Sequence, residues 1–154
     1  EPGMGTVFKI YLPLSGHAVE ANQDTVVADV RGGTETILVA EDDVPLRELS
    51  KALLNLHGYT VIDAVDGEDA LTKFAAHRND IRLVILDSIM PNRNGRETYD
   101  EMRRISQDLK AIFLSGYAED VFSRGNLPEE GVLFIQKPVS PQDLLQKIRT
   151  MLDR

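Results

Sequence analysis

From Thr36 onward, five short apolar runs alternate with segments that are polar or carry helical periodicity: Thr36–Ala40, Thr60–Ala64, Leu83–Leu86, Ala111–Leu114 and Val132–Ile135. Continuous apolar runs of this length, spaced by helical segments, are the mark of strands buried on both faces. Five such pairs predict an α/β domain whose parallel sheet is covered by helices on both sides. The first helix carries Leu46, Leu49, Leu53 and Leu56 on one face, read as core, and Gly58 stands where a C-terminal cap is expected. The last helix carries Leu144, Leu145, Ile148, Met151 and Leu152, entered through Ser140 as N-cap and Pro141 in the first turn. Tyr99 and Met102 are expected to point inward from the charged stretch Arg96–Arg104. The weakest helical signal is Asp120–Glu130, which includes Gly125 and Pro128 and offers few periodic apolar residues.

A chain of 154 residues, 42% hydrophobic, can bury one ordinary core and hardly two. Residues 1–14, EPGMGTVFKIYLPL, hold one strand-like run, Val7–Leu12, which cannot fold alone. Residues 15–33 have no sustained period, end in Gly32-Gly33 and read as a linker, so the independent domain is expected over 34–154. The first residue is not Met, and the chain is expected to be a piece of a longer protein with no output segment after the last helix. The formal net charge of −8 repels phosphates, so neither nucleic acid binding nor contact with acidic membrane surfaces is expected. The longest apolar runs fall far short of the ~20 residues that span a bilayer. There is no cysteine, which excludes disulfides, thiolate metal sites and cysteine nucleophiles and fits a cytoplasmic location.

In an open parallel sheet, ligands bind beyond the carboxyl ends of the strands where strand order reverses. The residues there are Glu41, Asp42 and Asp43 after the first strand, Asp87 after the third, Ser115 and Gly116 after the fourth, and Lys137 and Pro138 after the fifth. In a doubly wound sheet of order 2-1-3-4-5 the first and third strands are neighbours, which brings Glu41, Asp42 and Asp87 into one pocket. Three carboxylates there call for a cation, and an oxygen-only set without His or Cys suits Mg2+, with Mn2+ as the alternative. Asp87 could attack phosphorus as a nucleophile if Lys137 and the Ser115 hydroxyl neutralised the developing charge. Asp43 directly precedes Val44-Pro45 and is read as the N-cap of the first helix.

The segments ILVAEDDVPLR (37–47), VILDSIMPNRNG (84–95), FLSGYA (113–118) and FIQKP (134–138) together resemble the receiver domain of two-component response regulators. The resemblance covers residues 34–154 and implies a flavodoxin-like (βα)5 fold. It makes Asp87 the phosphorylated aspartate, Glu41 and Asp42 the acidic pair, Lys137 the family's lysine, Ser115 its Ser/Thr and Phe134 its aromatic switch. It also implies Asp42, Asp87 and the Ile89 carbonyl as direct metal ligands, Glu41 reaching the ion through water, and a cis bond between Lys137 and Pro138. GMGTVFKIYLP (3–13) resembles the final strand of a sensor histidine kinase ATP-binding domain, so the order kinase end, linker, receiver implies a hybrid histidine kinase. The implied partners are a phosphohistidine-bearing kinase or phosphotransfer domain upstream and a phosphotransfer protein downstream. The implied chemistry is self-phosphorylation and self-dephosphorylation, within a parent phosphotransferase.

Two other readings compete. A haloacid-dehalogenase-like phosphatase also attacks with an aspartate after a strand, but it needs a second Asp two residues later as general acid, and Ile89 stands there. A protein-binding module that uses the fold without phosphorylation would not need the full set of Glu41, Asp42, Asp87, Ser115 and Lys137. None of His17, His57 and His77 has the acidic and proline context of a phosphoacceptor helix, so all three are read as structural or solvent-facing.

Overall fold

The computed structural model describes residues 8–11, 31–116 and 130–153. Among these residues, five strands form one parallel sheet: β1 (Thr36–Ala40), β2 (Thr60–Ala64), β3 (Ile81–Asp87), β4 (Lys110–Ser115) and β5 (Val132–Gln136). Their order is β2-β1-β3-β4-β5, the flavodoxin-like arrangement expected. Four helices are described: α1 (Val44–Leu56), α2 (Gly67–His77), α3 (Gly95–Ile105) and α4 (Pro141–Leu152). None of the described helices is long and apolar enough to cross a membrane.

Strand side chains alternate between two cores, as the period of two requires. Leu38, Ala40, Val84, Leu86, Ala111 and Phe113 pack on one face against Phe74 of α2 and Tyr99 and Met102 of α3. Ile37, Val39, Leu83, Ile85, Ile112 and Leu114 pack on the other against Leu54 of α1 and Leu144, Leu145, Ile148 and Met151 of α4. Tyr99 and Met102 are inward as predicted, and Ser140 caps α4 by accepting from the Asp143 amide.

Of the leucine stripe of α1, only Leu53 packs against the core. Leu46, Leu49 and Leu56 are exposed and Leu53 is half-buried, whereas Arg47 and Leu54 are the buried residues of the helix. The helix is rotated so that Arg47, Lys51 and Leu54 face the sheet, while Leu46, Leu49, Ser50 and Leu53 border a groove of about 500 Å³ against Val139 and Leu144. Gly58 has φ +90° and ends the helix as predicted, since an L-residue pays for that conformation.

β3 and β4 are longer than their apolar runs. Asp87 and Ser115, expected just beyond the strands, are their last residues, because the ladder continues through Asp87 beside Leu114 and Ser115 beside Gln136. Residues 8–11 have no regular structure, and Phe8, Ile10 and Tyr11 are exposed. The rest of the expected strand Val7–Leu12 and the linker as far as residue 30 lie outside the described residues. The Asp120–Glu130 segment does too, except Glu130, which is in a turn.

Asp66 caps α2, accepting from the Glu68 and Asp69 amides, and also accepts from the Asn92 side chain across the loop that follows β3. The Asp69 amide first, then Asn92, holds the Asp66 carboxyl below its ordinary value. A depressed folded-state pKa stabilises above the unfolded value near ~3.9 and loses that effect as pH falls through the folded value. Asp66→Ala should therefore cost about 1 kcal/mol at neutral pH, and the gap between urea titrations of the two proteins should begin to narrow as pH falls below about 4.

Candidate functional site

β1 and β3 are paired with Ala40 beside Leu86, so the residues leaving β1 come up next to the end of β3. Glu41, Asp42 and Asp87 each offer a carboxylate oxygen within 4.8 Å of the others. Glu41 is buried, Asp42 exposed and Asp87 between. Lys137 enters from the end of β5, its backbone N–H donating to the Ser115 carbonyl at 2.7 Å. The Lys137–Pro138 bond is cis, as the resemblance implied. The lysine ammonium donates to Glu41 Oε2 at 2.8 Å and to Asp87 Oδ2 at 2.9 Å.

The loop after β3 is built to hold Asp87 still. The Ser88 amide donates to the Leu114 carbonyl at 2.9 Å, and the Ile89 amide lies 3.3 Å from Asp87 Oδ1. The loop turns through Asn92 at φ 65°, and Asn94 then caps α3 by accepting from the Glu97 amide. Gly95 starts α3 where any Cβ would stand 2.2 Å from the Asp87 carbonyl oxygen, so only glycine permits this approach.

Burial raises the Glu41 pKa and the Asp87 charge adds to the rise, while the hydrogen bond from Lys137 opposes it; the net direction is up. Burial works against the charge on Lys137, but its two carboxylate partners outweigh it and hold the ammonium above the ordinary lysine value. Three acids facing one lysine leave a formal charge of 3 − 1 = 2 negative units. The donors are all oxygen and close enough to share one ion, which fits a hard divalent cation.

The structure thus brings together Glu41, Asp42, Asp87 and Lys137. Ser115 is fully buried at the end of β4, its backbone tied to Lys137. Ile89 stands two residues past Asp87 with its side chain 58% exposed, out of the core. Phe134 is half-buried on β5 and stacks on Phe113 at 4.9 Å between ring centres, while Phe113 meets Tyr99 edge-on at 5.6 Å. Asp43 is the N-cap of α1, accepting from the Leu46 amide, as expected. His57 Nδ1–H donates to the Leu53 carbonyl at 2.8 Å at the end of α1, and His77 closes α2; neither belongs to the carboxylate group of the pocket.

Arg47 was not given a role by the sequence. It is buried, and its Nη1 donates to the Glu41 carbonyl at 2.7 Å and lies 3.4 Å from that of Asp42. The available signal was an arginine near the start of a helix, where a cation opposes the helix dipole.

Comparison with known proteins agrees with this geometry. The response regulator receiver domain pattern matches residues 37–149. The chain is 34% identical over 163 residues to the sensor kinase CckA of Brucella abortus (strain 2308), covering 100% of this chain and 17% of that protein. It spans 46% to 50% of several related transcriptional regulators. Among solved structures it is similar to the receiver domain of the hybrid histidine kinase CckA, with TM-score 0.66, 32% identity and coverage of 76% of this chain and 98% of that one. It is equally similar to the response regulator TrrA of Thermotoga maritima in complex with Mg(2+)-BeF, with TM-score 0.66, 34% identity and coverage of 77% and 99%. With five strands in the order β2-β1-β3-β4-β5, an acidic pocket at their carboxyl ends and the family pattern running through nearly all of the described domain, this chain belongs to the response regulator receiver domains of two-component signalling.

Proposed function

We propose that this receiver takes a phosphoryl group from a phosphohistidine onto Asp87. Receiver domains in general bind Mg2+ and work with a phosphodonor kinase or phosphotransfer protein. The observation that carries the reading is the Lys137 ammonium shared between Glu41 and Asp87, with Asp42 alongside. An Asp87 carboxylate oxygen forms the new bond to phosphorus as the bond to the donor imidazole nitrogen breaks, and the imidazole keeps that electron pair. Asp42, Asp87 and the Ile89 carbonyl would hold Mg2+ directly and Glu41 through water, and the bound ion supplies neutralising charge for the phosphoryl oxygens. Mn2+ suits the same oxygen donors.

Lys137 and the Ser115 hydroxyl are the chain's own donors to those oxygens. Movement of Ser115 toward the phosphoryl group opens space beside β4, and Phe134 turns into it, altering the surface around β4 and β5. Upstream, residues 1–14 are read as the end of a kinase ATP-binding domain and 15–33 as a linker, which makes the parent a hybrid histidine kinase with this chain on its cytoplasmic side. The alignment with part of the sensor kinase CckA, which runs through all of this chain, supports that order. A phosphotransfer protein is the natural next acceptor.

The bond formed decides the matter. Protein labelled by a small phosphodonor with Mg2+ should lose the label in neutral hydroxylamine, which cleaves acyl phosphates and spares phosphoserine. Retained label would put the phosphoryl group on a hydroxyl such as Ser88 and overturn the assignment. In the same sample the Phe134 ring resonances should shift, and unchanged resonances would remove the switch.

A further inference from the structure

The geometry points to Arg47 as a positioning residue that fixes the Glu41–Asp42 pair for cation capture, an inference that rests on the cation reading above. Arg47 is 7% exposed and sits in the opening turns of α1. Both facts are unfavourable for a guanidinium, since burial strips its water and the helix N-terminus repels it. What offsets them is specific. Nη1 donates to the carbonyl of Glu41 at 2.7 Å and approaches that of Asp42 at 3.4 Å. Nε is buried without a hydrogen-bond partner but lies 3.8 Å from Asp63 Oδ2 of β2, within reach of charge attraction.

The two carbonyls belong to the stretch where β1 has ended and α1 has not begun. The Glu41 amide still pairs with the Ala64 carbonyl at 3.2 Å, but β1 itself stops at Ala40. Arg47 therefore holds the backbone from beneath while the Glu41 and Asp42 side chains converge with Asp87. Converging carboxylates repel one another, and an untethered loop would relieve the repulsion by opening. A guanidinium suits the task because its planar fork can serve the carbonyls with one nitrogen and face Asp63 with another; an ammonium has no such fixed geometry. Lys51 Nζ holds Asp63 Oδ1 at 2.8 Å without an observed bond to the loop, which provides a control that shares the anchor but not the carbonyls.

The test uses this chain, with Mg2+ titrations followed through the Ser88 and Ile89 amide resonances, and amide exchange measured without metal. Arg47→Gln should weaken Mg2+ binding about tenfold, the scale seen for groups that orient metal ligands, with Arg47→Lys intermediate. Exchange across 41–43 should rise at least ~tenfold while β3 amides stay protected. Lys51→Met should leave both quantities within about twofold. A folded Arg47→Gln protein with Mg2+ affinity within about twofold of the parent, or with unchanged exchange across 41–43, overturns the proposal. If Arg47→Gln does not fold, the same limits applied to Arg47→Lys decide it. Should Asp42→Asn leave Mg2+ affinity untouched, the cation reading itself fails, and the exchange measurement alone then supports or overturns the positioning role.

Discussion

Phe113→Ala is expected to remove about 3–5 kcal/mol of stability, seen as a lower urea midpoint with little change in slope. Phe113 lies on β4 in the middle of the sheet, 1% exposed, with Tyr99 edge-on to its ring and Phe134 stacked on it. Tyr99 is anchored by its hydroxyl, which donates to the Leu109 carbonyl at 3.1 Å, so the void cannot simply collapse from that side, and residual cavity volume is what makes such substitutions costly. Leu49→Ala is the matching control. Its side chain is 65% exposed along the α1 groove, so its loss should stay within about 0.5 kcal/mol. A large loss there would restore the leucine stripe to the core.

Two substitutions in the pocket should move Mg2+ affinity in opposite directions. Asp42→Asn removes one of the three converging charges while keeping side-chain size, and should weaken binding roughly tenfold to a hundredfold. Lys137→Met removes the cation that already occupies Glu41 and Asp87, and should strengthen binding by about tenfold. A unit charge a few ångströms from a divalent ion is repelled by on the order of 2 kcal/mol even in water, which sets that scale. Calorimetric titration of both variants checks the signs; a shift in the same direction for both would mean that the ion does not bind in this pocket.

Most of the pocket was legible because it depends on where strands end. The apolar runs ending at Ala40, Leu86 and Ile135 place Glu41, Asp42, Asp87 and Lys137 at one sheet edge once the strand order is known. The ends of β3 and β4 were less legible, since backbone pairing continues through Asp87 and Ser115 whatever the polarity of their side chains. The facing of α1 was misread for a related reason. The four leucines of that stripe outweigh everything else on a hydropathy count, yet the sheet-facing side is set by Leu54 and by Arg47, whose burial depends on carbonyls that no pattern of side chains displays. Ser140 and Asp43, by contrast, were readable as caps because each accepts an amide hydrogen bond from its own helix three residues later.

The central claim is that Asp87 is the phosphoacceptor, and intact-mass measurement after exposure to a small phosphodonor and Mg2+ tests it most directly. The parent chain should gain the mass of one phosphoryl group, and so should Asp43→Asn, because asparagine serves equally well as the N-cap of α1. Asp87→Asn should gain none. Uptake by Asp87→Asn equal to that of the parent would contradict the account.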